Sequence, residues 1–209
     1  MSTVQCFPSG PFETNAYLLT CNETGKGIFI DPSPGSADSL TTAAGSVKIE
    51  AILLTHSHWD HIADLKKLKK SFDIPVYVHP SDRENVMNPG SDGIPMMMFI
   101  EGVEPEFDLK EGQIIPVGHL ELRVIETPGH SPGGVCFYLE KEKIIFTGDT
   151  LFKGSIGNIS LPTADRVAIW RSLEKLEKLP SDTVVYSGHG PSTTIGDESW
   201  LSRARELFS

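Results

Sequence analysis

The chain is 209 residues long, 39% hydrophobic and 22% charged, which suits one folded domain with a sizeable core. A formal net charge of -10 excludes nucleic-acid binding through a broad basic surface. No segment approaches the roughly 18 apolar residues of a membrane span, so residues 1–209 are expected to form a single domain with neither nucleic-acid nor membrane partners.

Met1–Gly10 has neither the basic region nor the apolar core of a secretory signal, and the expected location is cytoplasmic. Strands are predicted over Asn15–Thr20 and Gly27–Asp31, ended by the turn Asp31-Pro32-Ser33-Pro34-Gly35. Residues 36–45 read as a helix of small residues, Ile49–Thr55 as a buried strand, and Ile62–Phe72 as an amphipathic helix. The basic run Lys66, Lys67, Lys69 and Lys70 then falls on the solvated face of that helix. Pro75–His79 is a short strand, and Pro80-Ser81-Asp82-Arg83 starts a helix that ends before Asn88-Pro89-Gly90. Gly90–Glu106 lacks a clean period and reads as a covering loop, with Met96, Met97 and Met98 filling gaps in the core. Strands follow at Gln113–Val117, His119–Glu126, Gly134–Glu140 and Lys143–Thr147. A helix over Thr163–Leu179, a strand at Thr183–Ser187 and a terminal helix near Glu198–Phe208 complete the chain. Two runs of strands with helices beside them suggest an αβ/βα sandwich.

Thr55-His56-Ser57-His58-Trp59-Asp60-His61 sets three of the seven histidines and a carboxylate within six residues, directly after the apolar strand Ala51–Leu54. Packing does not explain that density. Alternate residues of an extended segment share a face, so His56 and His58 can serve one ion, and Asp60 and His61 a second. Imidazole and carboxylate donors suit Zn, Fe or Mn. Asp60 also stands where a helix N-cap would fall, which is its alternative role. One loop cannot fill two coordination spheres, and His130, Asp149 and His189 supply donors at later strand ends, each directly after a glycine that lets the backbone bend or approach closely.

His79 and His119 are expected outside the site. Cys6, Cys21 and Cys136 show no CxxC spacing and read as small core hydrophobes. No GxxxxGK[ST] phosphate loop is present.

HxHxDH followed in order by Gly129-His130, Gly148-Asp149 and Gly188-His189 resembles the metallo-β-lactamase superfamily, and within it the glyoxalase II-like, or hydroxyacylglutathione hydrolase-like, branch. The likeness runs from Thr14-Asn15-Ala16-Tyr17 to Ser187-Gly188-His189-Gly190-Pro191. It implies an α/β fold, a four-layer αβ/βα sandwich of two mixed sheets flanked by helices. It also implies two divalent metal ions, Zn first and Fe or Mn otherwise. His56, His58 and His130 would hold one ion, Asp60, His61 and His189 the other, and Asp149 would bridge them.

Two divalent ions outweigh Asp60, Asp149 and a hydroxide by about one positive charge, which favours a small anionic thioester or ester substrate. The implied reaction is hydrolysis of a thioester such as S-D-lactoylglutathione by a metal-bound hydroxide. Asp60 would orient the water or transfer a proton. Lys153 is a candidate substrate contact, and so is Asn158, which follows Gly157 where family members often carry Arg or Lys. Only twenty residues follow His189, so the chain resembles compact, single-domain members of the branch. The alternatives are a mononuclear Fe(II) persulfide dioxygenase on the His56, His58 and His130 set, another superfamily hydrolase such as a lactonase, and last a non-catalytic metal-binding scaffold.

Overall fold

The computed structural model describes residues 1–208. In its first half β1 (Ser2–Ser9), β2 (Thr14–Cys21) and β3 (Lys26–Ile30) form an antiparallel meander. To this β4 (Lys48–Leu53), β5 (Val76–Val78) and β6 (Phe107–Asp108) add in parallel, giving a mixed six-stranded sheet. In the second half β7 (Ile114–Val117), β8 (Leu120–Glu126), β9 (Val135–Leu139) and β10 (Ile144–Gly148) are successively antiparallel. There β11 (Val184–Ser187) joins in parallel and β12 (Thr193–Thr194) closes the edge, so the second sheet is also mixed and six-stranded.

Strand alternation builds the layers. On β2, Ala16 and Leu18 face an outer core shared with α1 (Ala37–Ala44) and α3 (Leu65–Phe72), while Tyr17, Leu19 and Cys21 face the second sheet. On β9, Val135, Phe137 and Leu139 answer from across the gap, and Cys136 and Tyr138 turn to the other outer core, under α5 (Ala168–Glu177) and α6 (Ala204–Phe208). Each fully buried side chain such as Phe29, Leu53 or Phe137 contributes about 1.5–3 kcal/mol relative to exposure. The result is the four-layer αβ/βα sandwich expected from the sequence. No helix among the described residues is long and apolar enough to cross a membrane.

Several boundaries differ from expectation. β1 was outside the predicted strands because its residues alternate between half-buried and exposed and include Pro8, as befits an edge. The predicted helix over Ile62–Phe72 is broken: α2 (Trp59–Ile62) ends early, and Asp64 turns its Oδ2 to accept from Ala37 N at 2.8 Å, at the start of α1. The helix predicted over Thr163–Leu179 is shorter, because Asp165 Oδ1 accepts from the N–H groups of Val167 and Ala168 and sets a later start. A short α4 (Arg83–Met87) follows a 3₁₀ turn at Pro80–Asp82. The gap-filling role holds for Met96, which is half-buried against the outer core, but Met97 and Met98 are exposed. Lys66, Lys67 and Lys69 pair with Glu101, Asp38 and Glu106 on the exposed face of α3.

Candidate metal centre

The loops after β4, β8, β10 and β11 meet at one edge of the sandwich. Main-chain hydrogen bonds clamp the two halves there: Val135 N donates to Thr55 O at 2.9 Å and Asn15 N to Gly188 O at 2.7 Å. Tyr17 adds its hydroxyl to Ser187 O at 2.6 Å. The side chains aimed into this edge come from both sheets.

All seven predicted ligands converge. His56, His58 and His130 place donor atoms within 4.8 Å of one another, and so do Asp60, His61 and His189. Asp149 lies between the sets, with Oδ1 at 3.2 Å from His61 Nε2 and Oδ2 at 3.4 Å from His130 Nε2 and 3.3 Å from His189 Nε2. His56, His58, His61 and His130 each leave Nε2 buried without a hydrogen-bond partner, as does Asp149 Oδ1. Buried polar atoms are nearly always paired, and one left unpaired costs about 1–3 kcal/mol. Unpaired imidazole nitrogens from two sheets, converging around a carboxylate, fit cations in the space they enclose.

The other ring nitrogens of His56, His61, His130 and His189 are committed. His130 Nδ1 donates to Asn158 O at 2.9 Å, and His189 Nδ1 to Phe12 O at 3.0 Å. Asp31 Oδ2 accepts from His61 Nδ1 at 3.0 Å and from the Thr55 hydroxyl at 2.5 Å. Thr55 Oγ1 in turn lies 3.1 Å from His56 Nδ1. Such partners fix tautomer and ring orientation, leaving Nε2 free for an ion. Thr14 donates its hydroxyl to Asp60 Oδ2 at 2.7 Å. Asp60 is the second residue of α2 and makes no side-chain cap bond there, so its N-cap alternative does not describe the structure.

Burial pushes His56 far down and His58 to about 3, which leaves both as neutral imidazoles with a lone pair to give. Burial works against the Asp60 carboxylate, but His61, a hydrogen bond from His189 and the Thr14 hydroxyl hold it down to about 2. For His189 burial is again opposed, here by Asp149 and Asp60, which raise it to about 9.

The glycines beside the ligands are close-approach positions. A Cβ on Gly188 would fall 2.0 Å from Asp149 Oδ1, and one on Gly129 2.6 Å from Ile169 Cα in α5. Lys153 and Asn158 are exposed on the loop that follows Asp149, and Asn158 touches the site through its carbonyl on His130. Phe152, next to Lys153, sets its ring 5.7 Å from that of His189. His79 pairs with Glu126 and His119 with Glu23, both away from the ligands.

Sequence reasoning missed Asp31, Thr14, Asp82 and Asn85. A signal for Asp31 existed: it ends the apolar strand Gly27-Ile28-Phe29-Ile30, as Asp149 follows Ile144–Gly148. Asp82 ties two ligand loops together, accepting from Ser57 N at 2.9 Å and Gly133 N at 2.6 Å. Asn85 donates to Ser57 O at 2.7 Å from the same side.

Comparison with known proteins identifies the family. The family model of the metallo-beta-lactamase superfamily matches residues 9–189. A probable metallo-hydrolase of Bacillus subtilis (strain 168) is 35% identical over 90% of each chain. A hydroxyacylglutathione hydrolase of Francisella tularensis subsp. novicida (strain U112) is 32% identical over 90% of this chain and 68% of its own. Among solved structures, the BLEG-1 B3 metallo-beta-lactamase superposes with a TM-score of 0.88 at 35% identity, covering 99% of this chain and all of that one. TTHA1623 in a di-iron-bound form does so with a TM-score of 0.80 at 35% identity, over 98% of this chain and 100% of its own.

Proposed function

Because the chain belongs to the metallo-β-lactamase superfamily and brings two His/Asp donor sets together around Asp149, we propose that it is a dinuclear metal-dependent hydrolase acting on a thioester. The carrying observation is that both donor sets are complete, with Nε2 of four histidines and Oδ1 of Asp149 unpaired. His56, His58 and His130 would hold one ion, Asp60, His61 and His189 the other, and Asp149 would contact both. Zinc is the ion proposed, and iron and manganese share its preference for these donors. Such ions acidify water toward neutral pH and polarise a carbonyl oxygen.

The chain's own groups position and protect that chemistry. Asp60 Oδ2, steadied by Thr14 and 3.4 Å from His189 Nε2, is the carboxylate placed to accept a proton and pass it to a departing thiolate. Phe12, whose ring lies 5.3 Å from that of Trp59, and Phe152 form an apolar rim on the His189 side that limits water. Lys153 and Asn158 are the proposed contacts for an anionic part of the substrate. The Francisella hydroxyacylglutathione hydrolase supports the thioester class, with S-D-lactoylglutathione as the first substrate to assay.

The test is metal analysis of protein purified without added metal, together with thioester hydrolysis and oxygen uptake on glutathione persulfide. The expected outcome is two ions per chain and thioester turnover, both lost in Asp149→Ala. One iron per chain with oxygen uptake would establish the dioxygenase instead. Unchanged metal occupancy in Asp149→Ala would overturn the bridging role.

A further inference from the structure

The turn after Asp149 is held from outside the metal centre. Phe152 N donates to Ser155 O at 2.8 Å, which closes a four-residue turn with Lys153 and Gly154 at its tip. Gly154 has φ of 73°, and a Cβ there would meet nothing within 4 Å, so glycine serves the backbone conformation alone. The N–H of the third residue finds no partner within such a turn. Gly154 N donates instead to Glu198 Oε2 at 2.7 Å.

Glu198 is 3% exposed, and its other donors are neutral as well: Thr193 gives its hydroxyl to Oε1 at 2.5 Å and Trp200 its indole N–H to Oε2. Carboxylates are rarely buried so deeply, and hydrogen bonds must replace the water that this one has lost. The donors come from separate segments: Gly154 from the loop that begins at Asp149, Thr193 from β12, which follows His189, and Trp200 from the stretch that leads to α6. One buried side chain therefore joins the two segments that carry Asp149 and His189. On the inner side of the same turn, Phe152 rests against His189 with ring centroids 5.7 Å apart.

We propose that Glu198 is a positioning residue for substrate selection: it fixes the tip of the Phe152–Ser155 turn so that Lys153 receives an anionic group of the substrate on the His189 side. It acts through Gly154. The inference rests on the reading of Lys153 as the contact for that group, and deepens it.

Binding tests it without requiring turnover. Zinc-loaded, ¹⁵N-labelled protein is titrated with glutarate, adipate and pimelate, each against the monocarboxylate of equal length, with affinities read from the Lys153 and Gly154 amides. Within each pair only the second carboxylate differs. At least one dicarboxylate is expected to bind about three- to fivefold more tightly than its partner, the size of one exposed ion pair. Lys153→Ala and Glu198→Ala should abolish the difference. Glu198→Asp, which keeps a buried acceptor for Thr193 and Trp200 but is one methylene short of Gly154, should abolish it too while keeping its zinc. Glu198→Gln should preserve it, because the Thr193 hydroxyl can turn to accept from the new amide and leave the carbonyl to Gly154 and Trp200. For the adipoyl thioester of N-acetylcysteamine, Glu198→Asp should raise KM by about the same factor with kcat nearly unchanged. No preference for any dicarboxylate in the unsubstituted protein overturns the inference. So does a preference that survives in both Glu198→Ala and Glu198→Asp, or one that Glu198→Gln loses as fully as they do. Zinc loss in both Glu198→Ala and Glu198→Asp assigns the residue to the metal centre itself and overturns it as well. The expected binding pattern without turnover of any thioester upholds the positioning role and overturns the thioester reaction.

Discussion

Asp31 lies at the end of β3 with φ of 51°, 1% exposed, and its oxygens take the Thr55 N–H, the Thr55 hydroxyl and His61 Nδ1. Through Thr55 it also reaches His56. One carboxylate therefore orients a ligand from each donor set. Asn tolerates positive φ, so Asp31→Asn keeps the backbone while setting an amide N–H₂ against groups that donate. The expected result is a 10- to 100-fold loss of zinc affinity with little change in fold, read by competition with a chromophoric chelator. Unchanged affinity would show that His61 and His56 need no such anchor. A pH dependence follows from His189, whose raised value of about 9 means that it is protonated at pH 7. An ion must displace that proton, so apparent affinity at the Asp60, His61 and His189 set should climb with pH and level off above about 9. Zinc titrations at pH 6, 7 and 8 should show at least about tenfold per unit, since His61 of the same set, despite its burial, is also held well above its ordinary value by Asp60 and Asp149; a flat profile contradicts it.

The ligands are legible in the sequence because they are dense or follow a glycine at a strand end, and both marks are local. Their supports are not legible in the same way: Thr14 reaches Asp60 across 46 positions and Asp82 reaches Gly133 across 51. Strands with buried alternation were equally readable, whereas β1 and β12 owe their existence to a neighbour that supplies hydrogen bonds. The glycines divide by what surrounds them. At the end of β11, Gly188 has no room for a Cβ beside Asp149 Oδ1 and His61 Cε1, while Gly190, with φ of 73°, has nothing within 4 Å. Gly188→Ala is expected to displace the Asp149 carboxylate and abolish zinc occupancy. Gly190→Ala should keep its zinc and lower stability by about 1 kcal/mol through the strained φ alone. Zinc content and thermal melts of the two variants decide this, and equal zinc content in both would show that the Asp149 carboxylate can yield.

Cys136 connects the centre to the whole sandwich. It is fully buried near the start of β9, its Sγ is 3.3 Å from Thr127 Oγ1, and it donates to Thr147 O at 3.7 Å. Thr127 opens the loop that carries His130, and Thr147 stands two residues before Asp149. Burial pushes the thiol up to about 12, and only the thiolate alkylates, so Cys136 reacts when β8, β9 and β10 separate. Ions held by His56, His58, Asp60 and His61 from the first sheet and by His130, Asp149 and His189 from the second would tie the sheets together and oppose that opening. Free zinc at about 1,000 times its dissociation constant adds roughly 4 kcal/mol to the native state. Iodoacetamide should therefore label exposed Cys6 at the same rate in either state. At Cys136, followed by peptide mass spectrometry, zinc-loaded protein should be labelled about 100- to 1,000-fold more slowly than chelator-treated protein. Equal rates at Cys136 would mean that the ions do not bind across the two sheets.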